Sequence, residues 1–380
     1  MSRLPFESLR KLAGFLLLLA GLLALASQLR GKPAQAGAAV PQFQNARVST
    51  QTLQGPLAEQ IGRWAGASTK PRWLGYAVSA VNGDRRICCS NYSNDSEDSC
   101  AACALEENGH AIRVKPSDTS LRPVKLEGTG EMAVMFRAEG GRLQRIRTFS
   151  IDCPADAGGL DVVWLDGVSS PESVAVLQNI VLKSISAEDY RESLQKSALA
   201  ALALHVDASA DRALQSLVST DRPEWLRRET AFWLGEARGA EGLRMLQRMA
   251  QSDPSDEVRA QVSFALSVSK EPGALTEMIR MAHEDNSPHV RGQALFWVAH
   301  KAGQKAEATI AGAIENDPDT EVKKKAVLAL SQMPKDEGVP KLIEVAQTNK
   351  NPEVRKQAMF WLGQTQDPRA LAFFEKLLAQ

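Results

Sequence analysis

Six apolar residues, Leu194, Leu226, Val258, Val290, Val322 and Val354, stand thirty-two positions apart with no insertion or deletion between them. Around them the chain reads SLQKSALAALAL, WLRRETAFWLGE, EVRAQVSFALSV, HVRGQALFWVAH, EVKKKAVLALSQ and EVRKQAMFWLGQ. A register kept through six copies requires six copies of one structural unit. Five positions before four of these anchors stands an aspartate (Asp221, Asp253, Asp285, Asp317), followed directly by Pro254 and Pro318 in two units. That pattern predicts a helix start, with Asp as N-cap and Pro at the first helical position. Twenty positions after each anchor comes a second apolar set, Leu214, Leu246, Met278, Ile310, Leu342 and Phe374, which predicts a second amphipathic helix. A two-helix unit of this size cannot bury both helices by itself, so the units must stack into an α-solenoid over residues 187–380.

Two columns within the repeat carry large side chains. Seven positions after the anchor the residues alternate, Ala201, Trp233, Ala265, Trp297, Ala329 and Trp361, as expected of a core in which large side chains interdigitate with small ones. One position earlier, on the other side of the helical wheel, stand Ala200, Phe232, Phe264, Phe296, Leu328 and Phe360. This column reads first as packing between repeats and second as an exposed apolar strip able to bind a partner. Under the second reading the candidate contacts are Phe232, Phe296 and Phe360. Arg244, Arg248 and Arg280 join them from the second helices, which are assigned to the concave side.

The units resemble HEAT repeats, in the subgroup similar to the repeats of phycobilisome lyases. The residues that carry the resemblance are the Asp and the cation six places later: Asp221 and Arg227, Asp253 and Arg259, Asp285 and Arg291, Asp317 and Lys323, with Asn349 before Arg355. The resemblance covers about half the chain, and it implies that these residues form a structural ladder between neighbouring repeats. Activity does not follow from it, because such arrays include scaffolds and a few enzymes. HEAT-repeat iron hydroxylases need several facing His-Glu pairs, whereas His283-Glu284 is a single one. His205, His289 and His300 lack carboxylates at matched repeat positions. No metal or other cofactor is expected.

Lys plus Arg total 45 and Asp plus Glu total 45, so no net field exists to hold nucleic acid or an anionic bilayer. Arg3, Arg10 and Lys11 precede an uncharged run from Leu12 to Leu29 that contains Ala24-Leu25-Ala26, a small-residue cleavage pattern. Residues 1–26 are therefore read as a signal peptide or a retained membrane anchor, and 27–46 as a flexible tether. Either way the rest of the chain is expected to be exported, to the periplasm or outer cell envelope. If the segment is retained, residues 12–29 tether it to the inner membrane and form its sole membrane contact.

Residues 47–168 read as a small β-rich, mostly antiparallel domain. Predicted strands include Trp73–Val81, Met132–Ala138, Leu143–Ile151 and Asp161–Leu165, with a hairpin turn at Gly140-Gly141 and a helix near Leu53–Trp64. All five cysteines, Cys88, Cys89, Cys100, Cys103 and Cys153, fall here. In an exported chain they read as disulfide candidates, with one thiol left over and Cys153 paired to one of the adjacent couple. The rival reading is a zinc or redox site built on Cys100-Ala101-Ala102-Cys103. Residues 169–186 form a capping helix. The fold class is thus α+β multidomain: a small β-rich domain followed by an all-α HEAT-like solenoid. With no GxSxG, phosphate-binding loop or HExxH motif in view, the chain is read as a noncatalytic envelope scaffold that binds another envelope protein or a peptide. The alternative is a thiol or zinc protein whose repeats recruit the partner.

Overall fold

The structure, a computed structural model, describes residues 40–81, 103–106, 130–183 and 189–379. The candidate signal or anchor, Cys88, Cys89 and Cys100 lie outside these residues.

The N-terminal layer is a five-stranded sheet in the order β2-β8-β3-β5-β6, formed by β2 (Arg47–Thr52), β3 (Arg72–Ser79), β5 (Glu131–Glu139), β6 (Arg142–Ser150) and β8 (Asp161–Asp166). Gly140 and Gly141 both take positive φ, 58° and 77°, and so turn β5 into β6 as a tight hairpin. The sheet is mixed, not mostly antiparallel. Strand β8 slots between β2 and β3 and runs parallel to both. A helix, α1 (Leu57–Gly66), connects β2 to β3, as a crossover between strands of the same direction requires. Strand β2 is exposed along its whole length, so its sequence carries no apolar alternation from which to read it.

A second, smaller sheet joins β1 (Phe43–Gln44), β7 (Ala155–Asp156) and β4 (Cys103–Ala104), all parallel. The segment read as a tether thus ends in a strand at Phe43. Cys103 and Cys153 are both buried and no disulfide joins these two to each other; their other candidate partners, Cys88, Cys89 and Cys100, lie outside the described residues. Cys103 is registered with Ala155, not with Cys153, and the Cys153 thiol points to the Pro154 carbonyl at 3.6 Å.

Period-two alternation sorts the central strand β3 onto two cores. Leu74, Tyr76 and Val78, with Met132, Val134 and Phe136 of β5, belong to an apolar cluster that continues without a break into the helices. Trp73 and Met135 face the other way, on the side of Trp164, whose ring meets Phe43 at 6.0 Å. On that side Glu106 receives hydrogen bonds from the Trp73 indole at 2.8 Å and from Arg137 at 2.9 Å.

After β8 comes α2 (Ser170–Leu182), started by a capping box in which the Ser169 hydroxyl meets Glu172 at 2.6 Å. Six helical hairpins follow among the described residues: α3 (Asp189–Ala203) with α4 (Ala208–Leu217), α5 (Glu224–Ala237) with α6 (Gly239–Ser252), and α7 (Asp256–Val268) with α8 (Gly273–Glu284). The remaining three are α9 (Pro288–Ala302) with α10 (Glu307–Asn316), α11 (Thr320–Ser331) with α12 (Lys335–Thr348), and α13 (Pro352–Gln364) with α14 (Pro368–Leu378). The anchors Leu226, Val258, Val290, Val322 and Val354 are all buried, as are the residues eight positions later, Leu234, Leu266, Val298, Leu330 and Leu362. Each fully buried side chain of this size contributes about 1.5–3 kcal/mol of transfer free energy.

The β layer and the first hairpin share one core. Ala80 forms an antiparallel bridge with His205, and Val81 donates to the Leu204 carbonyl at 2.8 Å. Beneath that bridge the Tyr76 hydroxyl donates to Ser173 Oγ at 2.8 Å, Ser173 donates to His205 Nε2 at 2.8 Å, and His205 Nδ1 donates to the Ala201 carbonyl at 2.8 Å. The last bond fixes the tautomer, since a carbonyl only accepts. All three side chains are fully buried. Burial pushes His205 down to about 4, so the ring is neutral at pH 7.

Candidate protein-binding face

The Asp–Arg residues form rungs that cross between repeats. Arg227 reaches Asp253 of the next hairpin with Nε at 2.8 Å and Nη2 at 3.1 Å, Arg259 reaches Asp285 at 2.8 and 3.0 Å, and Arg291 reaches Asp317 at 2.8 and 3.0 Å. The third guanidinium nitrogen of Arg259 and of Arg291 holds the main-chain carbonyl of its own repeat's aspartate, Asp253 and Asp285, at 2.8 Å. Hydrogen bonding to Asp285 and Asp317 holds the Arg259 and Arg291 guanidiniums above their ordinary range. Each rung is bidentate and nearly dry, with Arg227 at 7% and Asp253 at 2% side-chain exposure.

Because these aspartates turn inward, they are not the N-caps that the sequence suggests. Asp253 and Asp285 instead accept the amides of Ser255 and Ser287, and these serines are the N-cap residues, followed in later repeats by Asp319 and Asn351. Asp221 is exposed and outside the ladder; a hydrogen bond from Ser219 holds its carboxyl below the ordinary range. The ladder also stops before the last junction. Lys323 donates to the Glu315 carbonyl at 2.8 Å, Asn349 donates to the Glu315 carboxylate at 3.1 Å, and Arg355 keeps only the carbonyl bonds to Asn349 and Lys350. A lysine offers no planar fork and an asparagine no charge, so no bidentate rung forms there.

At the other end Arg238 supplies a rung of its own. It is buried and donates to the carbonyls of Ala203 and His205 and, at 2.6 Å, to Asp211 of the first hairpin. It falls outside the repeated Asp–Arg columns, so the pattern gives no sign of it.

Consecutive first helices pack on one another far more closely than consecutive second helices do. A Cβ at Gly235 of α5 would lie 2.0 Å from the Ala265 carbonyl oxygen of α7, and one at Gly292 of α9 would lie 2.2 Å from Lys325 Cδ of α11. A stack bends toward its tighter row, so the first helices line the inner side. This reverses the placement of the concave face on the second helices. Arg244 and Arg248 of α6 and Arg280 of α8 sit on the open row. Arg244 is paired with Glu241, Arg280 with Glu277 at 2.6 Å and Glu284 at 3.6 Å, and Arg248 is exposed. Two of the three cations are thus engaged within their own helices.

The aromatic column lies on the tight row. Six positions past the anchor is about 240° around a helix, turned away from the second helix of the same unit. Phe232 and Phe264 stack at 6.0 Å, Phe264 packs on Trp297 at 4.7 Å, and Phe296 meets Trp297 at 4.9 Å and His300 at 5.4 Å. Phe232, Phe264 and Phe296 are half-buried, and Phe360 is 54% exposed. One turn earlier on the same face stand Gln261, Gln293 and Gln357, half-buried, with amides that have no partner among the described residues. The sequence columns contain Phe264 and Trp297, but only the ring contacts show that they join Phe232 to Phe296 in one continuous strip.

Among the described residues no group of three or more His, Cys, Asp or Glu side chains is placed to hold a metal ion, and no helix is long and apolar enough to cross a membrane.

Stacked helical hairpins joined by an Arg–Asp ladder define an α-solenoid repeat protein. The family model for HEAT repeats matches residues 210–299 and 306–380, so the stacked hairpins over these residues are similar to HEAT repeats. Among solved structures, human deoxyhypusine hydroxylase in complex with glycerol is similar at 17% identity, over 56% of this chain and 80% of that one, with a TM-score of 0.30. The complex of CpcE and CpcF of phycocyanin lyase from Nostoc sp. PCC7120 is similar at 20% identity, over 41% of this chain and 99% of that one, with a TM-score of 0.31. Kap121p is similar at 14% identity, over 50% of this chain and 25% of that one, with a TM-score of 0.33. No curated protein matches the sequence.

Proposed function

We propose that this protein is a noncatalytic scaffold that binds an extended segment of another protein along the inner row of first helices. The observation that carries the reading is the aromatic strip from Phe232 through Phe264 and Trp297 to Phe296, followed two repeats later by the exposed Phe360. Apolar rings left half-open in a row, flanked by amides without partners, offer side-chain contacts and main-chain hydrogen bonds at a regular spacing. Phe232, Phe296 and Phe360 are the contact residues, with Phe264 added to them. Arg248 has no such setting and serves as the control position.

The partner belongs to the cell envelope, a reading supported by the N-terminal Arg3, Arg10 and Lys11 ahead of the uncharged run Leu12–Leu29.

The test places a photocrosslinking amino acid at position 360 and, separately, at 248 in the full chain in the native cell. A discrete adduct from 360 that is absent from 248, and that weakens when Phe296 is changed to Ser, is the expected result. An adduct from 248 only, or the same adduct from both positions, would overturn the assignment of the binding face.

A further inference from the structure

The sixth hairpin carries, on its outer side, the kinds of residue that join one repeat to the next. Gly235 of α5 sits where α7 passes close by, and a Cβ there would collide with the Ala265 carbonyl oxygen. Gly363 of α13 holds the same place in the repeat, yet a Cβ on it would meet nothing within 4 Å. Its backbone is helical, and glycine weakens a helix relative to alanine. Among the described residues no neighbour requires a glycine there.

A second mark is electrostatic. Arg259 and Arg291 hold a carbonyl of their own repeat with Nη1 at 2.8 Å and turn Nε and Nη2 to the aspartate of the following hairpin. Arg355 keeps the first half of that posture. Its Nη1 donates to the Asn349 carbonyl at 2.8 Å and to the Lys350 carbonyl at 3.1 Å, while Nε and Nη2 have no partner among the described residues. Because the guanidinium is planar, fixing Nη1 in this way aims the other two nitrogens where a following hairpin would place a carboxylate.

The third mark is apolar. Val339, Val345 and Ala346 of α12 are buried, whereas Leu371, Leu377 and Leu378 of α14, in the same places one repeat later, are exposed, Leu378 at 87%. A hairpin that closes a stack presents a polar outer face. This one presents a glycine, an open arginine fork and three leucines.

We infer that the outer face of α13 and α14 is a docking surface for a helical hairpin of another protein, one with a carboxylate in the turn ahead of its first helix. Gly363 lets that helix approach as α7 approaches Gly235, Arg355 forms a bidentate pair with the carboxylate, and Leu371, Leu377 and Leu378 take its apolar side. Charge complementarity selects this occupant: the fork needs a carboxylate, and three interior junctions show hairpins that supply one. The surface is separate from the inner row proposed to hold an extended segment, and the crosslink from position 360 tests that row by itself.

A photocrosslinking amino acid is placed at position 378 of the full chain in the native cell, alone and together with Gly363→Leu or Arg355→Gln. Position 363 is open in this chain, so Gly363→Leu keeps the fold and blocks the approach of a second helix. The expected result is one adduct with a different protein, its crosslinked peptide lying in a helical hairpin, and weakened at least tenfold by either substitution. No adduct, an adduct of twice the chain's own mass, or one that either substitution leaves unchanged would each overturn the inference.

The fit is also tested without the partner, by joining a copy of residues 285–316 directly after Gln380. The copy begins with an aspartate 26 positions after Arg355, the spacing of the inner rungs. Thermal unfolding should then move up by about 3 °C or more, and Gly363→Leu or Arg355→Gln should cancel the rise. An added hairpin that leaves the midpoint unchanged and is digested by protease shows that the face does not accept a further hairpin, and overturns the docking surface.

Discussion

The two ends of the solenoid are held together differently. At the proximal end α2 and the sheet close the stack through the buried Tyr76–Ser173–His205 chain, Arg238 grips two carbonyls of the first hairpin, and three dry Arg–Asp rungs follow. At the distal junction Lys323 and Asn349 replace the rung and a cavity opens beside Trp361. The same repeat therefore yields a rigid junction or an open one, according to two side chains. In a solenoid, stability is close to a sum over repeats and their interfaces, so the weakest interface is where a ligand can be admitted at least cost.

The largest expected effect breaks the rigid side of that contrast. Asp285→Ala leaves the Arg259 guanidinium buried without a counter-charge and removes the cap on the Ser287 amide. A loss of about 3–5 kcal/mol is expected, read as a fall in the urea midpoint. A loss below about 1 kcal/mol would show that the rungs are not what makes the proximal junctions stiff.

Next comes acidification, which separates the two ends. His205 titrates at about 4 in the folded protein, against about 6.5 when unfolded. The unfolded chain therefore binds the extra proton between those values, and stability falls as pH drops through that window. The group's contribution is complete above pH 6.5 and is reduced by about 2 kcal/mol at pH 5. Hydrogen exchange as a function of pH should show the Tyr76–His205 junction loosening over this range, and His205→Gln should flatten that dependence.

A smaller effect converts one kind of junction into the other. Lys323→Arg with Asn349→Asp recreates the sequence of the inner rungs, and the pair should stabilise the distal junction by about 1 kcal/mol beyond the sum of the single changes in a double-mutant cycle. The least effect belongs to Lys323→Ala, which loses one exposed bond to a carbonyl; a change within about 0.5 kcal/mol of zero is expected by thermal unfolding.

Much of the helical array was legible in the sequence. The anchors at thirty-two-residue spacing and the second apolar set locate both helices of each hairpin, and the Gly140-Gly141 pair locates the one tight hairpin of the sheet. The aspartates misled as N-caps, because Asp followed by Pro looks the same whether its carboxylate turns back to its own helix or inward to a neighbour's arginine. Strand β2 escaped because it is an exposed edge with no buried face to imprint a pattern. Of the binding face, the phenylalanine column was visible, but the side of the stack it occupies was not.

The sequence by itself determined the repeat, its period and the apolar face of each helix, because local periodicity is a property of consecutive residues. Only the tertiary structure decided which arginine meets which aspartate, which helix row lies inside the curve, and where β8 inserts between β2 and β3. It likewise decided that Trp361 borders a cavity while Trp297 is covered by Phe264. Each of these depends on residues some 26 to 114 positions apart in the chain, Arg259 with Asp285 or Arg47 with Asp161, and their pairing is selected by packing and desolvation after the helices and strands exist.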